Sequence, residues 1–246
     1  IGGAAAAYFE VGTIGELTAV AQLKRRWNMP VFILGRGSNL LVSDAGYPGI
    51  VVRLIGEFDH LEFDGNRVHA GAGTSLPRLS KTAAQRGLSG VEFALGIPGS
   101  VGGALIMNAG AWGSSFGDLV ERVAVMTAEG ERIELSHDDA EFRYRHSRLD
   151  AHFCVTRALL HLTPGDVATI TARMQQLYEK KVASQPFAEE NAGCMFKNPP
   201  GDSAGKLIDE CGLKGYRIGG AEVSKIHGNF ILNIGNATAQ DVLNLV

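Results

Sequence analysis

The sequence predicts an α+β fold with a mostly antiparallel sheet. Short apolar segments of strand-like composition alternate with segments whose apolar residues recur at helical spacing. In the middle of the chain, several strand-like segments follow one another through short turns, which is typical of antiparallel pairing. The length of 246 residues allows one large domain or two modest ones.

Three segments ahead of residue 185 are predicted to be helices. Residues 17–27 are amphipathic, with an inner stripe expected from Leu17, Val20, Ala21 and Leu23. Residues 76–86 form the second helix, ended by Gly87. Asp166 is expected to cap a long third helix over residues 167–182. Strands are predicted at residues 31–34, 40–43, 49–54, 123–127, 132–135 and 154–162, with a hairpin turn at 128–130.

The composition shifts near residues 164–166, and we expect a domain boundary there. Beyond it, the sequence predicts a compact α+β segment. Its parts are a loop at residues 194–199, a helix at 203–211 and a strand at 229–233.

Charge and cysteine content exclude several classes of protein. The formal net charge of -3 and the lack of a basic stripe argue against a nucleic-acid partner. No apolar run reaches the roughly 20 residues that span a bilayer. The sequence contains three cysteines, Cys154, Cys194 and Cys211, which form no paired motif. We therefore expect neither disulfides nor a zinc site, and we expect the protein in the reducing cytoplasm. The chain begins at Ile1, so we expect its natural N-terminus to lie upstream.

Glycine is the informative residue, because 32 of the 246 residues are glycine, about 13% against a usual ~7%. The glycines cluster beside apolar segments at residues 35–37, 71–73, 96–103 and 110–117. Such loops allow the backbone to approach a ligand closely.

Residues 35–39 (GRGSN) lie between two predicted strands. A dinucleotide site of the Rossmann type needs a helix and a third glycine here, and the sequence has neither. Such a loop can still direct backbone N–H groups at a pyrophosphate, although a tight turn between strands has the same pattern. Residues 96–104 (GIPGSVGGA) are expected to be neither helix nor strand, because glycine and proline break both. Two such segments favour a large dinucleotide stretched between them.

The ordered motifs resemble those of the UDP-N-acetylenolpyruvoylglucosamine reductase family. The motifs are LGRGSNLLVSD from residue 34, GIPGSVGGA from 96, NAGAWG from 108, YRHS from 144, GCMFKNP from 193, AGKLI from 204, GLKG from 212, GAEVS from 220 and HGNFI from 227. The resemblance covers essentially the whole chain, and the ordered set is far more specific than any one motif.

The resemblance implies a two-lobed FAD-binding domain of the vanillyl-alcohol-oxidase (PCMH) type, followed by a smaller α+β substrate-binding domain. Residues 1–165 would form the FAD-binding domain, with lobes at about residues 1–55 and 56–165. Residues 166–246 would form the substrate-binding domain, truncated at its C-terminus. Non-covalent FAD would be held by Gly35, Arg36, Gly37, Ser38, Asn39, Leu40, Ile97, Pro98, Gly99, Ser100, Gly102, Gly103, Ala104, Asn108, Ala109 and Gly110.

The implied reaction is the NADPH-dependent reduction of the enolpyruvyl ether of a UDP-sugar to UDP-N-acetylmuramate, in peptidoglycan synthesis. The reduced flavin delivers hydride, so the protein must hold the developing enolate and supply a proton. Arg145 matches the arginine that binds the substrate carboxylate, and Tyr144, Trp112 and Asn198 match substrate contacts. We expect a monomer, with no nucleic-acid or membrane partner and no metal.

Cys194 stands where the family commonly has the serine that donates the proton. An ordinary thiol, with a pKa near 8.5, is largely protonated at neutral pH and is a stronger acid than a hydroxyl. The alternative is a buried structural cysteine, as we expect for Cys154 and Cys211.

Two departures from the family pattern stand out. The family's catalytic glutamate would follow a helix that begins at residue 239, so we expect it beyond Val246. The short stretch between Arg145 and Cys194 is filled by a strand and a long helix, which is typical of the subtype that lacks a tyrosine loop. Two other functions stay open: a different FAD oxidoreductase of this fold, acting on a small alcohol or hydroxy acid, and a non-catalytic flavin-binding module.

Overall fold

The computed structural model describes residues 1–246, which form six α-helices and sixteen short strands. The helices are α1 Ile14–Trp27, α2 Leu76–Gln85, α3 Val101–Ile106, α4 Val167–Ser184, α5 Ala204–Glu210 and α6 Ala239–Leu245. The strands are β1 Ala5–Val11, β2 Val31–Leu34, β3 Tyr47–Leu54, β4 Leu61–Asp64, β5 Arg67–Gly71, β6 Leu88–Ser89, β7 Gly110–Ala111, β8 Ser114–Ser115, β9 Val120–Met126, β10 Arg132–Ser136, β11 Cys154–His161, β12 Thr163–Pro164, β13 Asn191–Cys194, β14 Arg217–Ile218, β15 Ala221–Val223 and β16 Phe230–Asn233.

The chain divides into two compact units, neither of which is continuous in sequence. The larger unit comprises residues 7–36 and 49–178, and the smaller comprises residues 1–6, 37–48 and 179–246. Each unit therefore contains part of the first glycine segment. The boundary expected near residue 165 remains a proposal. According to it, residues 1–165 would bind FAD and residues 166–246 would bind the substrate.

The larger unit is built on a five-stranded sheet with the order β10-β9-β11-β5-β4, in which every neighbouring pair is antiparallel. A hairpin joins β9 to β10, and Gly130 takes a φ of 87° in its turn. A second, three-stranded sheet has the order β1-β3-β2, and its pair β2–β3 is parallel. The predicted antiparallel sheet is thus confirmed.

Helix α1 begins and ends where its sequence directs. Thr13 and Glu16 form a capping box at its start, and Asn28 ends it in the left-handed conformation with a φ of 48°. The apolar stripe of Leu17, Val20 and Ala21 is buried against the core. Leu23 was expected in that stripe but is exposed, because it lies off the buried face of the helix.

Helix α4 packs on α2 in the larger unit. Ile170 and Met174 form a small buried cluster with Ala84, and the Ser80 hydroxyl lies 3.2 Å from the Met174 sulfur. Asp166 caps α4 as expected, since its carboxylate accepts the Thr169 N–H at 2.8 Å. With β11 and β12, this helix occupies the stretch of chain between Arg145 and Cys194, as the sequence predicted.

The smaller unit contains a four-stranded sheet of order β13-β16-β15-β14, with helices α5 and α6. Its core is Ala221, Ile231 and Val242, against which Leu41 and Met195 pack. Leu41 belongs to residues 40–43, which were predicted to be a strand. They form none, because this segment belongs to the smaller unit and packs the half-buried Leu41 against its core instead of pairing its backbone in a sheet.

None of the helices combines the length and the apolar character needed to cross a bilayer.

Candidate active site

The first glycine segment, residues 35–39, leaves the end of β2 and is followed by no helix, which confirms that this is not a Rossmann site. Gly37 has a φ of 69°, a conformation that side chains disfavour. A Cβ on Gly35 would lie 2.7 Å from Ser100 Oγ, so Gly35 permits the two glycine segments to meet within the larger unit. Arg36 and Asn39 are exposed, and Ser38 and Leu40 are half-buried.

The second glycine segment corrects an expectation, because part of it is helical. Helix α3 begins at Val101, and the Ser100 hydroxyl caps it by accepting the Gly103 N–H at 3.4 Å. Gly102 N–H donates to Ala72 O at 2.8 Å, and a Cβ at this position would lie 3.0 Å from the Ala72 Cβ. The glycine therefore allows close packing, and the cap and these contacts outweigh its low helix propensity.

Ile97, Pro98 and Gly99 form the irregular part of this segment, ahead of the helix. The Gly99 carbonyl accepts the Leu76 N–H at 3.0 Å, which fixes the segment to the start of α2. Pro98 and Gly103 are exposed, whereas Ser100 and Ala104 are buried. Exposed backbone beside a fixed, close-packed helix is the surface on which a planar ring or a phosphate can lie.

Asn108 lies just after α3 and is buried, with a φ of 40°. Its side chain bonds at both ends: Nδ2 donates to Arg143 O at 3.0 Å, and Oδ1 accepts the Gly117 N–H at 2.8 Å. The neighbouring Ala109 N–H donates to Ala104 O at 2.7 Å. These bonds hold the exit from α3 in one conformation.

Arg145 occupies the tight turn between Arg143 and His146, with a φ of 53°. Its guanidinium donates to Asn108 O at 3.3 Å and to Gly110 O at 3.0 Å. The guanidinium carbon lies 5.2 Å from the centre of the Tyr144 ring, close enough for a cation–π contact. Tyr144 itself is 56% exposed.

Trp112 lies at the tip of a hairpin formed by β7 and β8. Ala111 pairs with Ser114, so Trp112 and Gly113 form a two-residue turn, and both have positive φ, 58° and 83°. A left-handed tryptophan costs about 1 kcal/mol or more, and half of the side chain remains exposed. Strain of this kind, together with exposure of a large aromatic, is typical of ligand contacts.

Cys194 ends β13 in the smaller unit and is exposed, where it pairs with Phe230 of β16. The preceding Gly193 has a φ of 81°, and a Cβ on it would lie 3.9 Å from Asn39 Oδ1. The loop bearing Cys194 therefore lies beside the part of the first glycine segment that belongs to the same unit. Asn198 accepts the Ala204 N–H at 3.1 Å and so helps to begin α5.

Two residues of the smaller unit make long-range hydrogen bonds within it, and the sequence assigned neither a role. The Asn229 side chain is buried and makes a pair of bonds with the Phe196 backbone, at 2.9 and 2.8 Å. Asp44 accepts the N–H groups of Ala239 and Gln240 and so caps α6 together with its N-cap residue Thr238. Both residues belong to motifs named above, HGNFI and LGRGSNLLVSD. Their hydrogen-bond partners lie far away in the sequence, and no local pattern predicts such contacts.

The expected residues thus fall into two groups. The larger unit brings together Gly35, Ser100, the residues around Asn108 and the Arg145 turn, and the smaller unit brings Ser38 and Asn39 to the loop of Cys194.

The other two cysteines differ from each other. Cys154 is buried, as expected of a structural cysteine, and burial raises the pKa of its thiol to about 12. Cys211, expected to be structural like Cys154, is exposed at the end of α5 because its side chain lies outside the core. No cluster of acidic, cysteine or histidine side chains is arranged to hold a metal ion.

Comparison with known proteins identifies the class. A family profile described as "FAD binding domain" matches residues 5–136, so the chain is a flavin-dependent oxidoreductase, with the vanillyl-alcohol-oxidase (PCMH) type of FAD-binding domain. A second profile, "UDP-N-acetylenolpyruvoylglucosamine reductase, C-terminal domain", matches residues 185–246. The chain belongs to the UDP-N-acetylenolpyruvoylglucosamine reductase family.

Individual relatives support this assignment over the whole chain. UDP-N-acetylenolpyruvoylglucosamine reductase 2 of Symbiobacterium thermophilum is 46% identical over 247 residues, which cover 100% of this chain and 80% of the relative. The Bacillus subtilis reductase is 40% identical over 249 residues, and the match covers 100% of this chain and 82% of that reductase. The crystal structure of the Thermus caldophilus reductase superposes with a TM-score of 0.85 at 43% identity, covering 97% of this chain and 85% of that one.

Proposed function

We propose that this chain reduces the enolpyruvyl ether of UDP-N-acetylglucosamine-enolpyruvate to UDP-N-acetylmuramate with NADPH, a step of peptidoglycan precursor synthesis. The observation that carries this proposal is the match of residues 185–246 to the reductase C-terminal domain, because that segment contains the loop of Cys194. An FAD oxidoreductase that acts on a small alcohol or hydroxy acid would share the FAD-binding domain but would not need this second domain.

The two glycine segments fit the cofactor. Gly35 and Ser100 approach so closely that a Cβ on Gly35 would meet the serine oxygen, and Gly103 presents exposed backbone beside them. Residues 35–40 would hold the pyrophosphate of FAD, and residues 97–104 with 108–110 would flank the flavin and phosphate. When bound, FAD passes hydride from NADPH to the vinyl carbon of the substrate.

Arg145 would bind the substrate carboxylate and stabilise the negative charge that develops beside it. A guanidinium has five N–H groups and never loses its charge, and two of these donors anchor the side chain to main-chain carbonyls. The anchored group is therefore oriented before substrate binds, which is the condition under which electrostatic stabilisation is most effective. Tyr144 and Trp112, both exposed near this turn and hairpin, would contact the substrate.

Cys194 would donate the proton that completes the reduction. Hydride adds to one carbon of the double bond, and the thiol proton goes to the adjacent carbon, which bears the carboxylate and the ether oxygen. The exposure of Cys194 at the end of β13 supports this role, whereas Cys154 is buried. Asn198, four residues further along the same loop, would contact the substrate.

The expected surroundings of the enzyme are also part of the proposal. A net charge of -3 without a basic stripe supports a small-molecule substrate and no nucleic-acid partner. We propose that the protein acts as a monomer in the cytoplasm, where NADPH and nucleotide sugars are available. Gel filtration with light scattering would test the oligomeric state.

The assay that tests the proposal is NADPH oxidation by full-length protein, with and without the UDP-sugar enolpyruvyl ether. Substrate-dependent oxidation is expected. A protein that carries flavin but oxidises a small alcohol or hydroxy acid instead would be the first alternative, and one that carries flavin without any turnover would be the second. Absence of flavin absorbance at about 450 nm would contradict every flavoenzyme function.

The role of Cys194 is tested by separating the two half-reactions. In Cys194→Ala, NADPH should still reduce the flavin, while reoxidation by substrate should fall by about 10²-fold or more, the usual contribution of a general acid. Cys194→Ser should retain much of the reoxidation rate, because a hydroxyl can also donate. Equal reoxidation rates in Cys194→Ala and wild type would remove Cys194 from the mechanism.

A further inference from the structure

The turn that carries Arg145 is fixed to the C-terminal end of helix α3. The Ser147 hydroxyl donates to Ile106 O at 2.9 Å, and the Asn108 amide donates to Arg143 O at 3.0 Å. Arg143 and His146 close the turn with two backbone hydrogen bonds, at 3.0 and 3.1 Å. The bonds to Ile106 and Asn108 come from 41 and 35 positions away and attach the closed turn to α3, so its position depends on residues 106–108.

Asn108 has two separate links to Arg145. Its main-chain carbonyl accepts one guanidinium N–H, and its side-chain amide holds the main chain of the turn at Arg143. Its Oδ1 also accepts the Gly117 N–H, at 2.8 Å, which fixes the far end of the Trp112 hairpin. One buried amide thus ties together the α3 exit, the arginine turn and the hairpin.

Both residues are in the left-handed conformation, with φ of 40° for Asn108 and 53° for Arg145. Asparagine tolerates this conformation far better than most residues, but arginine does not. An arginine in this conformation persists only where the surroundings impose it. The bonds from Asn108 to the turn are contacts of that kind.

We propose that Asn108 is a positioning residue for Arg145: its side chain imposes the strained turn and orients the guanidinium toward the substrate carboxylate. This inference rests on the proposed function of Arg145. It differs from a role in holding FAD, because both ends of the Asn108 amide are already bonded to the larger unit. Loss of these bonds lets the turn relax and moves the guanidinium away from the developing charge.

The test uses two variants of the full-length holoenzyme. Asn108→Gly tolerates the left-handed backbone but has no side chain, and Asn108→Asp keeps the oxygen that faces Gly117 but cannot donate to Arg143 O. In both, reoxidation of reduced flavin by substrate should fall by about 10²-fold, the usual effect of a misplaced catalytic group. With rates expressed per bound flavin, flavin reduction by NADPH should stay within about twofold of wild type, while KM for the substrate rises.

Asn28→Gly is the matched control, because Asn28 is another left-handed asparagine, at the end of α1. It should leave both half-reactions and KM unchanged. A role of Asn108 only in folding or in holding FAD would lower the flavin content and leave KM and the reoxidation rate per bound flavin unchanged, and that outcome would overturn the proposal. If Asn108→Gly fails to fold, Asn108→Asp carries the test.

A double variant separates this inference from the proposed function. If Asn108 acts through Arg145, adding Asn108→Gly to Arg145→Met should slow reoxidation by less than about threefold further, since the group to be positioned is gone. Independent, multiplying losses would overturn the inference. If Arg145→Met alone reoxidises like wild type, it is the proposed role of Arg145 that fails.

Discussion

Asp44 and Ala239 are joined by a hydrogen bond of 2.7 Å across 195 residues of sequence, from the Ala239 N–H to Asp44 Oδ1. The other carboxylate oxygen accepts the Gln240 N–H at 3.0 Å. Asp44 ends the motif that begins with the first glycine segment, and α6 is the last helix of the chain. The smaller unit thus fixes the chain just beyond residues 37–40 by capping a helix with it.

We predict that Asp44→Ala lowers the free energy of unfolding by about 1 kcal/mol, the usual effect of a lost helix cap. It should also raise the dissociation constant of FAD, because residues 37–40 lose their anchor. Chemical denaturation and flavin fluorescence titration measure the two effects. Asp166→Ala removes a similar cap from α4 and should lower stability alone. Equal FAD affinity in the two variants would show that Asp44 does not support the cofactor segment.

Gly103 offers a test that separates packing from ligand contact. A Cβ on Gly103 would meet only Ser100 Oγ, at an ordinary 3.5 Å, and the position is exposed within α3. Gly103→Ala should therefore maintain or raise the stability of the FAD-free protein, by up to about 1 kcal/mol. It should weaken FAD binding, because the added methyl group would occupy space in the proposed FAD site.

The control for this variant is Gly15→Ala in the first turn of α1, where a Cβ would lie 3.9 Å from Thr13 Oγ1. It should stabilise the protein with no change in FAD affinity. Thermal melting of the apoprotein and titration with FAD give both quantities. Unchanged FAD affinity in Gly103→Ala would place the cofactor away from α3.

The three cysteines should react differently with alkylating agents. Burial raises the pKa of Cys154 to about 12, so this thiol should be inert near pH 8, whereas Cys194 and Cys211 are exposed. Iodoacetamide should therefore inactivate the enzyme through Cys194. We expect Cys211→Ser to lose activity at the wild-type rate and Cys194→Ser to resist. Inactivation of Cys194→Ser as fast as wild type would assign the sensitivity to another residue.

His227 should make the folded protein sensitive to mild acid. Burial lowers its pKa below 6.5, the charge of Lys214 adds to this effect, and the His227 ring accepts the Asn229 N–H at 3.2 Å only when it is neutral. A lowered folded-state pKa means that the unfolded chain binds the proton more readily. The stability from neutral His227 is therefore complete above about pH 6.5 and is lost as the pH falls below it.

The measurement is the melting temperature at about pH 7.5 and about pH 5.5, for wild type and His227→Gln. Wild type should lose more stability across this interval. Asp241, whose pKa the N–H groups of Thr238 and Gly220 lower from 3.8, titrates below this window and should not contribute. An equal loss in the two proteins would mean that His227 is not the acid-sensitive group.

Local sequence was sufficient for the longer helices and for the strands β2, β3, β9, β10, β11 and β16, whereas β1, β4 and β5 were not predicted. Helix α1 has its capping box and its left-handed asparagine within the segment itself, and α4 has Asp166 immediately before it. These signals act over three or four residues, so they can be recognised from the sequence. Residues 40–43 gave the opposite outcome, because their apolar composition suits a strand and a buried loop equally well, and only the core of the smaller unit decides between them.

The sequence by itself predicted that glycine segments flank a large dinucleotide and indicated, through its ordered motifs, which reaction to expect. Only the tertiary structure showed why glycine occupies particular positions. Gly102 packs closely against Ala72 inside a helix, and Gly35 leaves space for the Ser100 side chain. The tertiary structure also decided that Asn108 supports the Arg145 turn and that Asp44 caps α6. These relationships join residues 35 and 195 positions apart, and hydrogen bonds over such separations leave no periodicity in the sequence.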